Sequence, residues 1–204
     1  MNQIPSPSRK RLVTLSQILS QLEENSKITS VEISARTGWS EATIRRDISL
    51  LKLHSGKSNG YSVGELRESI RERLNLSAPE LRKCCVVGLG KLGAALLENA
   101  DFSGSAFSLA AAFDTSMNRI ELLDSDIPLY LTTELKTVIP AKGITLAVLC
   151  VPDQIAQEMA DRLVSFGIRG IVNYTNTILK LPAGLEVENV SMSFALSNLA
   201  SKEK

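Results

Sequence analysis

VVGLGKLGAAL, residues 86–96, decides the fold. Gly88, Gly90 and Gly93 follow an apolar run, Cys84 to Val87, and open a helix-like stretch through Leu97. Strand, tight turn and helix are the context a dinucleotide-binding fingerprint requires. Gly88 permits the turn, Gly90 lets the backbone approach a pyrophosphate, and Gly93 lets the helix pack on the strand. With the intervening Leu89, Lys91 and Leu92 they form the candidate phosphate loop, where free N–H groups and the helix dipole favour an anion. A second apolar run, Phe107 to Phe113, ends at Asp114, about 20 residues past Gly93, where an acid takes the ribose hydroxyls. The competing reading is a structural turn followed by an acid that caps the next helix.

Working outward, further strand-like runs lie at Ile144 to Val151, Gly170 to Asn173 and Glu186 to Val190, with an amphipathic helix from Gln154 to Phe166. Strands alternating with helices predict a doubly wound parallel sheet whose ligands bind at its carboxyl edge. That edge collects the Gly88 loop, Asp114, Val151, Pro152, Asn173 and Tyr174.

The residues before the fingerprint read differently. Leu12, Leu15, Leu19 and Leu22 recur at helical steps and predict a helix from Ser8 to Glu24. Thr29-Ser30-Val31-Glu32 has capping-box spacing and opens a short helix through Arg36, which Gly38 ends. Ser40 is an N-cap for the next helix, in which Ile44, Ile48 and Leu51 share one face and Arg45, Arg46, Ser49 and Lys52 the other. Such a helix, with Ser40 and Thr43 at its start, is what helix-turn-helix readers place in the major groove. Asn59-Gly60 then signals a hairpin between two brief strands, a wing with Lys57 and Ser58 at its tip for phosphates and Tyr61 at its base. Trp39 reads as a core anchor and His54, the only histidine, as a surface or wing-base residue. Residues 65–83 read as a connecting helix with Leu66, Ile70 and Leu74 at four-residue steps, then a linker ending at Pro79.

Charge follows the same division. The net charge of +1 conceals 14 Lys/Arg against 9 Asp/Glu in residues 1–83, and 9 against 13 in the remainder, so the basic half is the one that suits a polyanion. At 204 residues and 44% hydrophobic composition the chain suffices for one medium core and a satellite domain. No apolar run approaches the roughly 20 residues needed to cross a bilayer, and no signal-peptide pattern opens the sequence, so a soluble, cytoplasmic protein with no membrane partner is expected. Cys84, Cys85 and Cys150 have neither disulfide nor metal-ligand spacing and read as small core residues; no metal site is expected.

These segments together resemble the Rex family of redox-sensing transcriptional repressors, over nearly the whole length. The resemblance rests on ATIRRDISLL, GKSNGY, VVGLGKLGAAL, AAFD, LAVLCVPDQIAQEMADRLVSFGIRGIVN and LPAGLEVENV. It implies a winged helix-turn-helix domain over residues 1–78, an α/β Rossmann domain over 79–190 and a C-terminal helix over 191–204 exchanged in a homodimer. It also implies operator DNA bound when NAD+ prevails and released when NADH accumulates. Three positions depart from the family's polar switch of an arginine, a tyrosine and an acid: Gln17, Asn99 and Ser191, all neutral. Tyr174-Thr175-Asn176-Thr177 stands where the family carries an aromatic and Ala-Pro-Val against the nicotinamide. Weakened redox coupling is therefore expected.

Two other classes compete. A dehydrogenase uses the same fingerprint but needs a substrate domain and a positioned acid or base, and residues 94–204 only complete the nucleotide fold and contain no histidine. No enzyme, and no catalytic residue, is expected. The other competitor is a dimeric DNA-binding regulator whose Rossmann half is structural or takes another nucleotide.

Overall fold

Leu12, Leu15 and Leu19 line the buried side of the first helix, α1 (Ser6–Leu19). The computed structural model describes residues 4–53, 60–76, 81–99 and 105–201. Its two units, Met1–Pro79 and Glu80–Lys204, each enclose an apolar core.

In the first unit α1 stops at Leu19 rather than Glu24. The Ser20 hydroxyl donates to the Gln17 carbonyl (2.8 Å) and the Ser26 hydroxyl to that of Glu23 (2.6 Å), local bonds that compete with the helical ladder. A short strand, β1 (Lys27–Ile28), leads into α2 (Ser30–Thr37). The capping box forms as expected: the Glu32 N–H donates to Thr29 Oγ1 (3.2 Å) and the Thr29 N–H to Glu32 Oε2 (2.7 Å). Gly38, at φ +72°, ends α2 in the left-handed conformation, and Ser40 caps α3 (Glu41–Ser49). β2 (Tyr61–Ser62) pairs antiparallel with β1. His54, Lys57, Ser58 and Asn59 lie outside the described residues.

α4 (Val63–Arg73) is more than the expected connector. It starts two residues earlier, at the Ser62 cap, and buries Val63, Leu66 and Ile70 in the same core as the α1 leucines. Each such side chain contributes about 1.5–3 kcal/mol relative to exposure, which ties the helix to this unit.

The second unit runs β3 (Arg82–Val87), α5 (Lys91–Asn99), β4 (Phe107–Asp114), α6 (Met117–Leu122), β5 (Leu129–Leu131), α7 (Leu135–Lys142), β6 (Leu146–Leu149), α8 (Asp153–Ser165), β7 (Gly170–Asn173), β8 (Glu186–Asn189) and α9 (Met192–Ala200). All neighbouring strands are parallel, in the order β5-β4-β3-β6-β7-β8. From β3 the chain proceeds outward through β4 and β5, then returns to lay β6 on the other side of β3. That reversal leaves a crevice beyond the carboxyl ends of β3 and β6, where open α/β sheets bind ligands. Strand and helix positions agree with the expected doubly wound sheet. α6, β5 and α7 carried no readable pattern: β5 has three half-buried residues, and Pro140 interrupts the helical reading of α7.

Candidate functional site

The three fingerprint glycines do different work. Gly88 has φ +96°, and a Cβ there would lie 2.5 Å from the Cys150 carbonyl oxygen, because β3 and β6 pack side by side. A Cβ on Gly93 would lie 1.8 Å from the Gly88 carbonyl oxygen, so the first turn of α5 sits directly on the loop. A Cβ on Gly90 would meet nothing within 4 Å. Gly88 and Gly93 are thus required by packing, while Gly90 borders open space beside the first turn of α5. A pyrophosphate requires that space together with the unsatisfied N–H groups of a helix start, so the loop fits a dinucleotide.

Leu89 turns inward, packs with Val86 and Ala112, and donates its N–H to Asp114 Oδ2 at 2.6 Å. Lys91 and Leu92 are exposed. Val151 is buried against the Gly88 turn and Pro152 is the exposed N-cap of α8. Asp114, at 2% exposure, ends β4 with its carboxylate already engaged: Oδ1 accepts the Ser116 N–H (2.7 Å), and Arg119 Nη1 lies 3.3 Å from both oxygens. The acid therefore braces the glycine loop. Neither that bond nor the Arg119 pair was visible in the sequence; an arginine five positions after a strand-end acid was the available signal.

Asn173, fully buried at the end of β7, was placed at the carboxyl edge by sequence and proves to organise the next turn. Its amide donates to the Thr177 carbonyl and to Asn189 Oδ1, both at 2.9 Å, and its Oδ1 accepts from the Thr175 hydroxyl (2.7 Å) and N–H (3.1 Å). Asp153 accepts the Asn176 N–H (2.9 Å) and side-chain amide (3.1 Å), which hold its carboxyl below the usual carboxylate range. The run Asn-Tyr-Thr-Asn-Thr carries the turn chemistry that forecasts such self-bonding.

On the first unit, α3 presents an exposed face. Ser40 and Thr43 bond each other (2.9 Å) and close its N-terminus. Arg45 is held by Glu41 (2.5 Å) and Ser30 (3.3 Å), whereas the Arg46 side chain is exposed and makes no bond among the described residues. The Ser49 hydroxyl folds back on the Arg46 carbonyl (2.6 Å), and Lys52, at φ +57°, is exposed just past the helix. Asp47, not foreseen, lies buried on the inner face, where Arg11 of α1 meets it through Nε (2.5 Å) and Nη2 (3.0 Å). An acid three residues after Ile44 and four before Leu51 was the sign that a cation must join this core.

The three residues expected at the family's switch positions make only local bonds among the described residues. Gln17 is exposed on α1, the Asn99 amide donates to the Ala95 carbonyl (2.8 Å), and the Ser191 hydroxyl caps α9 by accepting the Phe194 N–H (3.3 Å). Burial pushes all three cysteine thiols up, Cys150 to about 11, so they remain protonated at neutral pH. Among the described residues no cluster suits a metal ion, and no helix is long and apolar enough to cross a membrane.

Known proteins match both units. Residues 80–177 match the family model for a CoA binding domain, and residues 3–49 that for a putative DNA-binding protein N-terminus. A helix-turn-helix unit joined to a nucleotide-binding fold defines a ligand-responsive transcription factor. Redox-sensing transcriptional repressors Rex from Exiguobacterium sibiricum and Leuconostoc citreum are 32% and 33% identical over 198 residues, 96% of this chain and 90% and 91% of theirs. The crystal structure of RSP, a Rex-family repressor, in complex with NAD+ and operator DNA matches with a TM-score of 0.86 at 28% identity, covering 99% of this chain and 93% of that one. The chain belongs to the Rex family of transcriptional repressors, and its kin are regulators rather than dehydrogenases with the same fingerprint.

Proposed function

We propose that this protein represses transcription as a homodimer that binds operator DNA under NAD+ and lets it go as NADH accumulates. The observation that carries this reading is the open space at Gly90 beside the first turn of α5, at the switch point of the sheet. The kin structures support it, since RSP was solved with NADH and with NAD+ plus operator DNA.

In this reading residues 1–78 bind DNA, 79–190 bind nucleotide, and 191–204 cross to a partner copy. Gly88, Gly90, Lys91, Leu92 and Gly93 supply backbone to the pyrophosphate, with Leu89 fixing the loop from beneath. Asp114 meets the adenosine ribose, and Val151 and Pro152 flank the far side of the crevice. Ser40, Thr43, Arg46, Ser49 and Lys52 face the DNA, with Lys57 and Ser58 at the wing and Arg45 in reserve behind Glu41. A DNA target supports a cytoplasmic location.

A regulator whose Rossmann half is structural is the second reading, favoured by the bonded turn Tyr174–Thr177. Calorimetric titration of the full chain with NADH and NAD+, then operator binding in each, separates the two. Binding of both cofactors, with weaker operator binding in NADH, is expected; no heat with either would leave the structural reading.

A further inference from the structure

The rim of the adenosine side of the crevice is built unusually for a site that takes only unphosphorylated ribose. In such sites a strand-end acid offers its oxygens to the ribose hydroxyls and repels a 2′-phosphate, whereas a nearby arginine accommodates that phosphate. Here the acid and the arginine are both present and are bonded to each other. Asp114 is 2% exposed, and its oxygens accept the N–H groups of Leu89 and Ser116 at 2.6 and 2.7 Å. Arg119 faces it through Nη1 alone, at 3.3 Å from each oxygen, and its side chain is 56% exposed. Nε and Nη2 make no bond among the described residues.

We infer that Arg119 gives this crevice a 2′-phosphate subsite, so that the protein accepts NADP(H) as well as NAD(H); the inference rests on the dinucleotide reading above. Three features carry it. The Asp114 charge is paired, so the rim presents no net negative charge to a phosphate carrying about −1.5 to −2. The edge of Arg119 that Asp114 leaves unused is the Nε–Nη2 fork, the geometry that binds phosphate with two parallel bonds. One carboxylate touches both the glycine loop and the guanidinium, so Arg119 stands on the rim beside the loop that takes the pyrophosphate. Around it Thr115 is exposed, and the Ser116 hydroxyl makes no capping bond, so a hydroxyl is free to join the phosphate. Glu121, two residues along α6, lies on a different face from Arg119.

Coenzyme A carries its ribose phosphate on the 3′ oxygen and serves as the positional control. Calorimetry on the full chain would compare NADH with NADPH, ADP-ribose with its 2′-phosphate, and coenzyme A, each against wild type, Arg119→Ala and Arg119→Lys. We expect NADPH to bind wild type within about tenfold of NADH, and the NADPH-to-NADH affinity ratio to fall about tenfold or more in Arg119→Ala. The lysine variant, which keeps the charge but not the fork, should fall between. NADH binding with NADPH weaker by about a hundredfold or more, or a ratio unmoved in Arg119→Ala, overturns the subsite and leaves the dinucleotide reading standing. Coenzyme A binding more tightly than NADPH overturns the 2′ assignment, and absence of binding by every nucleotide overturns both readings together.

Discussion

Arg45 and Arg46 are adjacent on the outer face of α3, yet Glu41 and Ser30 occupy the first and nothing described occupies the second. Reading a base with Arg45 requires giving up an ion pair, whereas Arg46 has no bond to give up among the described residues. Arg46→Ala should weaken operator binding by about 1–3 kcal/mol at fixed salt, and Arg45→Ala by less. Fluorescence anisotropy on a labelled operator measures both, and unchanged binding by Arg46→Ala would remove α3 as the reader. The glycines differ in the same way. Gly90→Val should abolish NADH binding while the melting temperature holds, because the new side chain projects into open space where the pyrophosphate belongs. Gly93→Ala should instead lower the melting temperature, its Cβ falling 1.8 Å from a carbonyl oxygen. NADH binding at wild-type affinity by the Gly90 variant would place the site elsewhere.

Among the elements, α9 stands apart by its exposed apolar side chains: Met192 and Phe194 are 80% and 67% exposed beside Leu196 and Leu199. An apolar helix left in water marks an interface, and in a two-fold dimer the same helix is buried twice. A chain ending at Val190 should sediment as a monomer and bind a two-half-site operator far more weakly, since each half-site would be filled independently. A stable dimer from that truncated chain would exclude α9 as the exchanged element. α4 shows the converse. Its sequence reads as a connecting helix, but Val63, Leu66 and Ile70 complete the core begun by α1.

At the scale of the whole molecule, a ligand shifts a conformational equilibrium only by its differential affinity for the two states. Gln17, Asn99 and Ser191 offer neutral hydrogen bonds of about 0.5–1.5 kcal/mol where charge-assisted ones are worth about 1.5–3. Operator affinity titrated across NADH at constant total nucleotide should therefore fall less than about a hundredfold, and a larger fall would show that another route carries the coupling. Most elements of both units, α6, β5 and α7 apart, were legible because period and punctuation are local: Thr29 with Glu32, Gly38, Ser40 and the three fingerprint glycines act within one or two turns of chain. The proposed place of the site follows from the same fold, since a parallel sheet puts its ligands at the carboxyl edge whatever its side chains. What local pattern lacks is the partner. Asp47 finding Arg11, Asp114 finding Leu89, and Asn176 finding Asp153 join residues that only packing brings together. The sequence by itself determined a basic helical reader followed by a doubly wound nucleotide fold. The tertiary structure alone decided which charges are spent inside it and which, like Arg46 and the outer edge of Arg119, make no bond among the described residues, because a charge's availability depends on the neighbours that folding sets beside it.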